Sequence, residues 1–446
     1  MRFRFMFLFT GFLFSQSEDA TLTIYKDGTA LIKQPVAWSI PAGNSYVTWS
    51  SLPTGIHRDT PFLNLNGALI ISQRFNDNIF TGTDYFKKLR GQEINVKPKS
   101  GKVVKGKLLE ISSGSVTISH QSGIITFNRS ELEYLGSKTD ELDEPTFNPF
   151  LSWDLESNSE KIVEGELAYK TNNFTWSTVY RLKMLNEEKG ELIAEAVVSN
   201  SSDMNFIQAN INLVEGHLNK PNTRNRPLAR AQFEMTQSVE PMQKDMLISE
   251  LGDYHIYTLK DVHDLQAKEN ITVRMYGPLD VGYRKTYVFE NYERRQKEEP
   301  LETRLTMENT EDNGLGISLP GGKVEIYSHS QAGGLEYIGA DNIGQVPKGQ
   351  STKLTSGRAF DVIGKRRVLN YDRQRKSEEA VIEIQVINAR TETINILLIE
   401  HINGDWIIKH ESTNYQKNDA STIQFPFTLD GGETKYVTYT YRKEWK

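Results

Sequence analysis

The sequence predicts a mainly β fold of immunoglobulin-like β-sandwich domains, with a small SH3- or Sm-like barrel inserted among them. Apolar and polar side chains alternate along many short segments that are rich in β-branched and aromatic residues, for example residues 190–202 and 380–402. Amphipathic helical periodicity over three or more turns is scarce. Strands that bury one face each pack as facing sheets, so a sandwich architecture follows.

Length and composition limit the possible classes of protein. The chain of 446 residues is long enough for about two to four domains. Its 37% of hydrophobic residues can form real cores, and its net charge of −6 gives no overall basic field, so nucleic acid is not expected as a partner. There is no cysteine, which excludes disulfides and thiol catalysis.

The first residues have the pattern of a secretory signal peptide. Arg2 and Arg4 precede an apolar run over residues 6–14, which is shorter than the roughly 20 residues that span a bilayer. We therefore expect residues 1–17 to be a signal peptide and the mature chain to be secreted to the periplasm or beyond. No later segment is long and apolar enough to be a transmembrane helix, so none is expected in the mature chain.

The remaining chain divides into four predicted units. Residues 18–79 form a β-rich N-terminal region that opens with the hairpin "TLTIYKDGTALIK", in which Leu22 and Ile24 share one face. Residues 80–137 contain short strand-like runs separated by Gly and Ser, as expected for the small barrel, with a strand bend predicted at Gly106. An acidic linker follows.

Two larger predicted units complete the chain. Residues 146–292 are expected to form a central β-sandwich, and residues 303–446 a C-terminal immunoglobulin-like β-sandwich. The stretch 216–246 has many breakers and little periodicity, which is typical of a long loop. Within 318–344 the glycines precede alternating strand residues, so they predict hairpin turns rather than a phosphate-binding loop.

From residue 145 onward several segments occur in the order found in a known family. They are "PFLSWDLES" (149–157), "ELAYKTNNFTWSTVYRLKM" (166–184), "GDYHIYTL" (252–259), "LPGGKVEIY" (319–327), "YIGADNIGQVPKGQSTKLTSGRAFDV" (337–362) and "GDWIIKHESTNYQKNDASTIQF" (404–425). Together they resemble the bacterial domain-of-unknown-function 4139 family, also called mucoidy-inhibitor-like. Residues 20–75 resemble that family's N-terminal region, whereas the small barrel occupies the place of its usual coiled coil. The resemblance implies export and architecture but supplies no catalytic residues.

Two Asp-x-His pairs are the best candidates for a metal site. Residues two apart on a strand share a face, so Asp253 with His255, and Asp261 with His263, each present a carboxylate and an imidazole together. The alternative is solvated strand ends with capping aspartates. His401 and His410 are weaker candidates, and no Gly-x-Ser-x-Gly nucleophile motif is present.

Two candidate binding surfaces remain. The small barrel carries many lysines, and Lys97, Lys99, Lys102, Lys105 and Lys107 form a candidate face for an anionic surface. The alternative is a solvated β surface whose lysines protect edge strands.

Aromatic residues form the second candidate surface, since exposed aromatics stack on sugar rings. The candidates are Trp153, Trp176, Tyr180, Tyr254 and Tyr257. Burial in sandwich cores is the alternative for these side chains.

These observations lead to one functional expectation and one alternative. We expect an exported, non-catalytic protein of the bacterial envelope that binds or organises cell-surface polymers or protein partners, without a cofactor. The partner is an anionic envelope polymer or another envelope protein. The alternative is a hydrolase, either metal-dependent or acting on envelope glycans, for which no pair of carboxylates stands out in the sequence.

Overall fold

The computed structural model describes residues 19–77, 79–137, 147–216, 246–251, 254–330 and 333–445. Within them the chain forms 30 strands, one α-helix and two 3-10 helices, so the prediction of a mainly β fold of the sandwich class is confirmed. The predicted signal peptide, the acidic linker and most of the stretch 216–246 lie outside the described residues. No helix of the described part combines the length and apolar character needed to cross a membrane.

The first half of the chain contains strands β1 to β19 and helix α1. The N-terminal strands are β1 (Thr21–Tyr25), β2 (Thr29–Ile40), β3 (Gly43–Trp49), β4 (Phe62–Asn66) and β5 (Leu69–Asn76). The small unit has α1 (Gly82–Lys88), β6 (Glu93–Pro98), β7 (Val104–Ile111), β8 (Ser115–His120), β9 (Gly123–Asn128), a 3-10 helix (Arg129–Glu131) and β10 (Leu132–Ser137). Next come β11 (Phe150–Ser157), β12 (Lys161–Asn172), β13 (Phe174–Met184), β14 (Lys189–Asn200), β15 (Phe206–Glu215), β16 (Met246–Leu251), β17 (Tyr254–Leu259), β18 (His263–Leu265) and β19 (Glu269–Gly282).

The remaining strands are β20 to β30. They are β20 (Arg284–Tyr292), β21 (Lys297–Glu308), β22 (Gly322–His329), β23 (Leu335–Ile343), β24 (Ser351–Arg373), β25 (Ser377–Asn388), β26 (Ile394–His401), β27 (Trp406–Glu411), β28 (Gln416–Lys417), β29 (Thr422–Leu429) and β30 (Thr434–Glu444). The second 3-10 helix, Glu311–Asn313, follows β21.

Three sheets enclose the largest hydrophobic core. An eight-stranded sheet has the order β16-β17-β15-β1-β2-β12-β4 with β18 also on β15, a second has β3-β11-β5, and a third has β19-β14-β13-β22-β23. Alternation places one face of many of these strands in this core. In β1, for example, Leu22 and Ile24 are buried while their neighbours are half-exposed, as predicted. The Asp-Gly hairpin joining β1 to β2 is also confirmed, with Gly28 at a φ of 91°.

The small unit has its own core. Its five antiparallel strands follow the order β10-β6-β7-β8-β9 and curl over a cluster that includes Val96, Leu108 and Ile118. The register of β7 shifts between Leu108 and Glu110 rather than at Gly106. Gly106 instead permits a close approach of β8, because a Cβ there would lie 2.7 Å from the carbonyl oxygen of Ser119.

The C-terminal part wraps a nine-stranded sheet around the third core. The order is β27-β30-β25-β24-β21-β20-β26-β29-β28, and Trp406 Nε1 donates to the carbonyl of Ala420 at 2.9 Å, which brings the two ends of the sheet together. At one side of this core the fully buried Arg366 meets the equally buried Glu400 at 2.7 Å. A buried ion pair of this kind needs every charge partnered.

Two long strands contribute to both large cores. Within β21, Leu301 belongs to the C-terminal core and Leu305 to the largest one; within β24, Val362 and Leu354 divide in the same way. β22 pairs in parallel with β13 in the central sheet, and β23 joins that sheet by pairing with β22. Alternation marks a strand and its buried face but not the sheet that it joins.

Candidate functional site

Five lysines lie together on the hairpin formed by β6, β7 and the turn between them. We call Lys97, Lys99, Lys102, Lys105 and Lys107 the lysine hairpin. On β7 the buried Gly106 and Leu108 alternate with exposed lysines, so Lys105 and Lys107 project from the solvent face about 7 Å apart along the strand. The sequence-predicted basic residues are therefore neighbours in space.

The lysine hairpin carries an excess of positive charge, although Glu93 faces Lys107 across the strand pair. Lys99, Lys102, Lys105 and Lys107 are exposed, and none has an ion-pair partner among the described residues. Lys97 differs, because its Nζ donates to the carbonyl of Gly101 at 2.7 Å and lies 3.7 Å from a carboxylate on β10. Four unpaired ammonium groups on one surface create a positive local potential despite the net negative charge of the chain.

Four of the five candidate aromatic side chains lie in the core. Trp153, Trp176, Tyr180 and Tyr257 are buried, and only Tyr254 retains partial exposure. Buried rings offer no face to a sugar, so these four residues stabilise the sandwich. Three of them, Trp176, Tyr180 and Tyr257, surround a polar centre that the sequence analysis did not identify.

This polar centre is an ion pair at the end of two parallel strands. In the register of β1 and β15, Ile24 faces Leu213, and two residues further on Lys26 reaches Glu215. Lys26 Nζ lies 2.5 Å from Glu215 Oε2, and Gln345 Nε2 donates to Glu215 Oε1 at 2.9 Å. We call this pair the Lys26–Glu215 centre.

The Lys26–Glu215 centre is shielded from water on one side. Glu215 is 6% exposed and Lys26 30% exposed. The ammonium group also donates to the carbonyl of Gly321 at 2.7 Å and lies 4.6 Å from the ring centroid of Trp176. Each charge therefore has protein partners, and the centre fixes the loop before β22 to the end of β1.

Three tyrosines hold the same loop from the core side. Tyr180 donates to the carbonyl of Pro320 at 2.7 Å, Tyr257 donates to that of Ser318 at 3.2 Å, and Tyr276 donates to the Tyr180 hydroxyl at 3.4 Å. Burial raises the pKa of all three phenols above the ordinary value of 10.0. At neutral pH they are hydrogen-bond donors and not bases, so they position the backbone.

The glycine-rich stretch 318–344 forms the predicted hairpin. β22 and β23 pair antiparallel from Gly322 with Ile343 to His329 with Leu335. The backbone groups that face Lys26 and Tyr180 are carbonyl oxygens, which repel an anion, whereas a phosphate loop presents N–H groups. The interpretation as turn and strand is confirmed.

The two Asp-x-His pairs do not come together. Asp253 lies outside the described residues, and Asp261 is exposed. His255 faces Glu215 across β15 and His263 faces Ala209, six residues away, which separates the histidines by roughly 20 Å.

Each of these histidines has one buried ring nitrogen without a hydrogen-bond partner among the described residues, Nδ1 of His255 and Nε2 of His263. In the described part of the chain no group of three or more His, Cys, Asp or Glu side chains is placed to hold a metal ion. A carboxylate and an imidazole alone supply two ligands, whereas zinc sites use three or four.

The weaker histidine candidates are also apart. His401 Nε2 lies 2.7 Å from Glu290 Oε1 and its Nδ1 lies 3.1 Å from Thr422 Oγ1, while His410 is exposed on β27. A carboxylate, an imidazole and a hydroxyl in a row have the composition of a catalytic triad. Here the hydroxyl is 5% exposed and comes from the strand directly paired with that of His401, so the row is a cross-strand ladder.

Sequence analysis missed Lys26 and Glu215, although the sequence contains a signal for both. Each residue continues a buried alternation, Leu22–Ile24–Lys26 in one strand and Ile211–Leu213–Glu215 in the other. A charged residue at the next core-facing position predicts a partner of opposite sign. The identity of that partner depends on the pairing of β1 with β15.

Comparison with known proteins adds no relative. The scan against protein-family models finds no match to this chain, and no curated protein matches it. The resemblance to the unknown-function 4139 family therefore stays a prediction from the order of the sequence segments.

Proposed function

We propose that this chain is an exported, non-catalytic protein of the bacterial envelope that binds an anionic surface polymer through the lysine hairpin. The observation that carries the proposal is the group of four exposed lysines, Lys99, Lys102, Lys105 and Lys107, without carboxylate partners in the described part of the chain. Each Lys near an anionic surface contributes about 1 kcal/mol of attraction. The signal-peptide pattern of residues 1–17 supports the exported location.

The arrangement favours attachment by charge rather than recognition of one chemical group. The ammonium groups are exposed ends of flexible side chains, and they lie on a curved sheet rather than in a pocket. Such a surface follows a chain of regularly spaced negative charges and binds it less tightly as salt increases. A separate hydrophobic core beneath the hairpin keeps the lysines together.

Binding of the full mature chain to polygalacturonate, with dextran as the neutral polymer, tests this function. We expect binding to polygalacturonate only. Reversal of two charges in Lys102→Glu/Lys105→Glu should weaken it at least about 30-fold, because two contributions of about 1 kcal/mol are lost and repulsion is added. The matched control, Lys260→Glu/Lys376→Glu, makes the same change of charge at exposed lysines elsewhere and should bind normally.

Equal affinities of the hairpin variant and the wild type would refute the proposal. So would an equal loss in the control variant, since the net charge of the chain would then be responsible. Binding to anionic lipid vesicles but not to polygalacturonate would redirect the proposal from a polymer to a membrane surface.

A further inference from the structure

A second candidate surface lies on the outer face of the nine-stranded sheet. A cleft of about 720 Å³ is lined by residues of β20, β21, β24, β26, β28 and β29, and we call it the outer cleft. Its volume falls within the range of about 300–1,000 Å³ that is usual for small-molecule sites. Its lining combines neutral polar, basic and apolar side chains with one carboxylate, Glu308.

Two unpaired cations mark one end of the outer cleft. In the strand register Arg284 faces Thr306, and Thr306 faces Lys353, so the two cations flank a hydroxyl with their Cα atoms about 10 Å apart. Both cations are exposed, and neither has an ion-pair partner among the described residues. Glu308, the only carboxylate in the lining, lies two residues from Thr306 at the same end, so two cations against one carboxylate leave an excess of positive charge that favours an anion.

The other cation in the lining is already neutralised. Arg304 donates through Nη2 to Glu302 at 2.7 Å, and its Nη2 also lies 3.9 Å from Glu290. These carboxylates fix its guanidinium group and leave Arg284 and Lys353 as the groups available to a ligand.

An apolar strip with amide side chains beside it forms the rest of the outer cleft. Val288 faces Leu397, and Leu397 faces Pro426, so three apolar side chains lie in a row across three strands. Neutral hydrogen-bonding side chains surround the strip, namely Thr286, Ser351, Asn395, Gln416, Asn418, Gln424 and Thr428. A sugar ring presents apolar C–H groups on its face and hydroxyls around its edge, which matches this arrangement.

We propose that the outer cleft binds a short acidic oligosaccharide. The carboxylate of one unit lies between Arg284 and Lys353, and the ring of a further unit, about 13 Å away along the strands, covers Leu397 and Pro426. The hydroxyls of these units exchange hydrogen bonds with the neighbouring amides. This inference rests on the proposed function for the class of polymer, and it adds recognition of a short segment to the attachment by charge at the lysine hairpin.

Calorimetric titration of the full mature chain with trigalacturonate tests the inference, with maltotriose as the neutral trisaccharide. The cleft variant Arg284→Gln/Lys353→Gln should bind trigalacturonate about 100-fold more weakly, because two charge-assisted hydrogen bonds each contribute about tenfold. The hairpin variant Lys102→Glu/Lys105→Glu should bind this short ligand as the wild type does. Thermal unfolding checks that the cleft variant is folded, as expected for exposed and unpaired cations.

The possible results separate the two proposals. Unchanged affinity in the cleft variant overturns the cleft inference, and so does binding of maltotriose as tight as that of trigalacturonate. Loss of trigalacturonate binding in the hairpin variant alone also overturns it and leaves the proposed function standing. Binding of polygalacturonate at the hairpin without any binding of trigalacturonate likewise overturns the cleft inference and leaves the proposed function standing.

Discussion

Replacement of Lys26 by methionine should lower the stability of the largest core far more than the same replacement of an exposed lysine would. Methionine keeps most of the aliphatic packing but removes the ammonium group from Glu215, from the carbonyl of Gly321 and from the ring of Trp176. Glu215 then stays buried with its Oε2 unpaired. This perturbation tests whether the Lys26–Glu215 centre holds the fold together.

The magnitude follows from burial. Breaking a fully buried ion pair costs about 3–5 kcal/mol, and the 30% exposure of Lys26 places this change near the lower end, at about 3 kcal/mol. Glu215→Met should cost less, about 2 kcal/mol, because Lys26 can turn toward solvent. The double variant leaves no unpaired charge, so we expect a loss of about 2–3 kcal/mol rather than the sum of about 5 kcal/mol.

Urea unfolding followed by tryptophan fluorescence measures these changes. Of the six tryptophans, four lie in the largest core or pack against it, so the signal reports mainly on the unit that contains the centre. The control pair is Lys33 with Glu166, whose charges are 4.0 Å apart at 38% and 53% exposure. Its methionine variants should change the free energy of unfolding by no more than about 0.5 kcal/mol. Additive effects of Lys26→Met and Glu215→Met would refute the argument that the two charges depend on each other.

Two further predictions concern the loop and the tyrosines beside this centre. Gly322→Ala should lower the free energy of unfolding in urea by more than about 2 kcal/mol, because its Cβ would lie 2.3 Å from a carbonyl oxygen of β13. The control Gly321→Ala would make only ordinary contacts and should be tolerated. Equal effects of the two substitutions would contradict the packing argument. Burial raises the pKa values of Tyr180, Tyr257 and Tyr276 in the folded chain above the value of 10.0 that they have in the unfolded chain. Above pH 10 the unfolded chain therefore loses these protons while the folded chain keeps them. The free energy of unfolding should be unaffected by these tyrosines below pH 10 and should fall as the pH rises above 10. An ultraviolet absorbance titration in which these three phenols ionise near pH 10 without unfolding would disprove the burial argument.

Local alternation was sufficient for much of the fold. It identified the buried face of β1, with Leu22 and Ile24, and the hairpin that starts at Gly322. It also identified the candidate lysines, because Lys105 and Lys107 stand at outward positions on either side of Gly106. These features depend on residues within one strand or one turn, where the side-chain period of two fixes the face.

Patterns within single segments are enough to predict the β class, the buried face of β1 and the positive charge of the lysine hairpin. The pairing of distant strands brings Lys26 to Glu215 and Gly321, lets β21 and β24 contribute to two cores, and places Arg284 and Lys353 beside one cleft. Lys26 and Gly321 are 295 residues apart in the chain. The physical reason is that strands of similar pattern have similar local preferences, and their choice of neighbour depends on burial and hydrogen bonding summed over the whole chain.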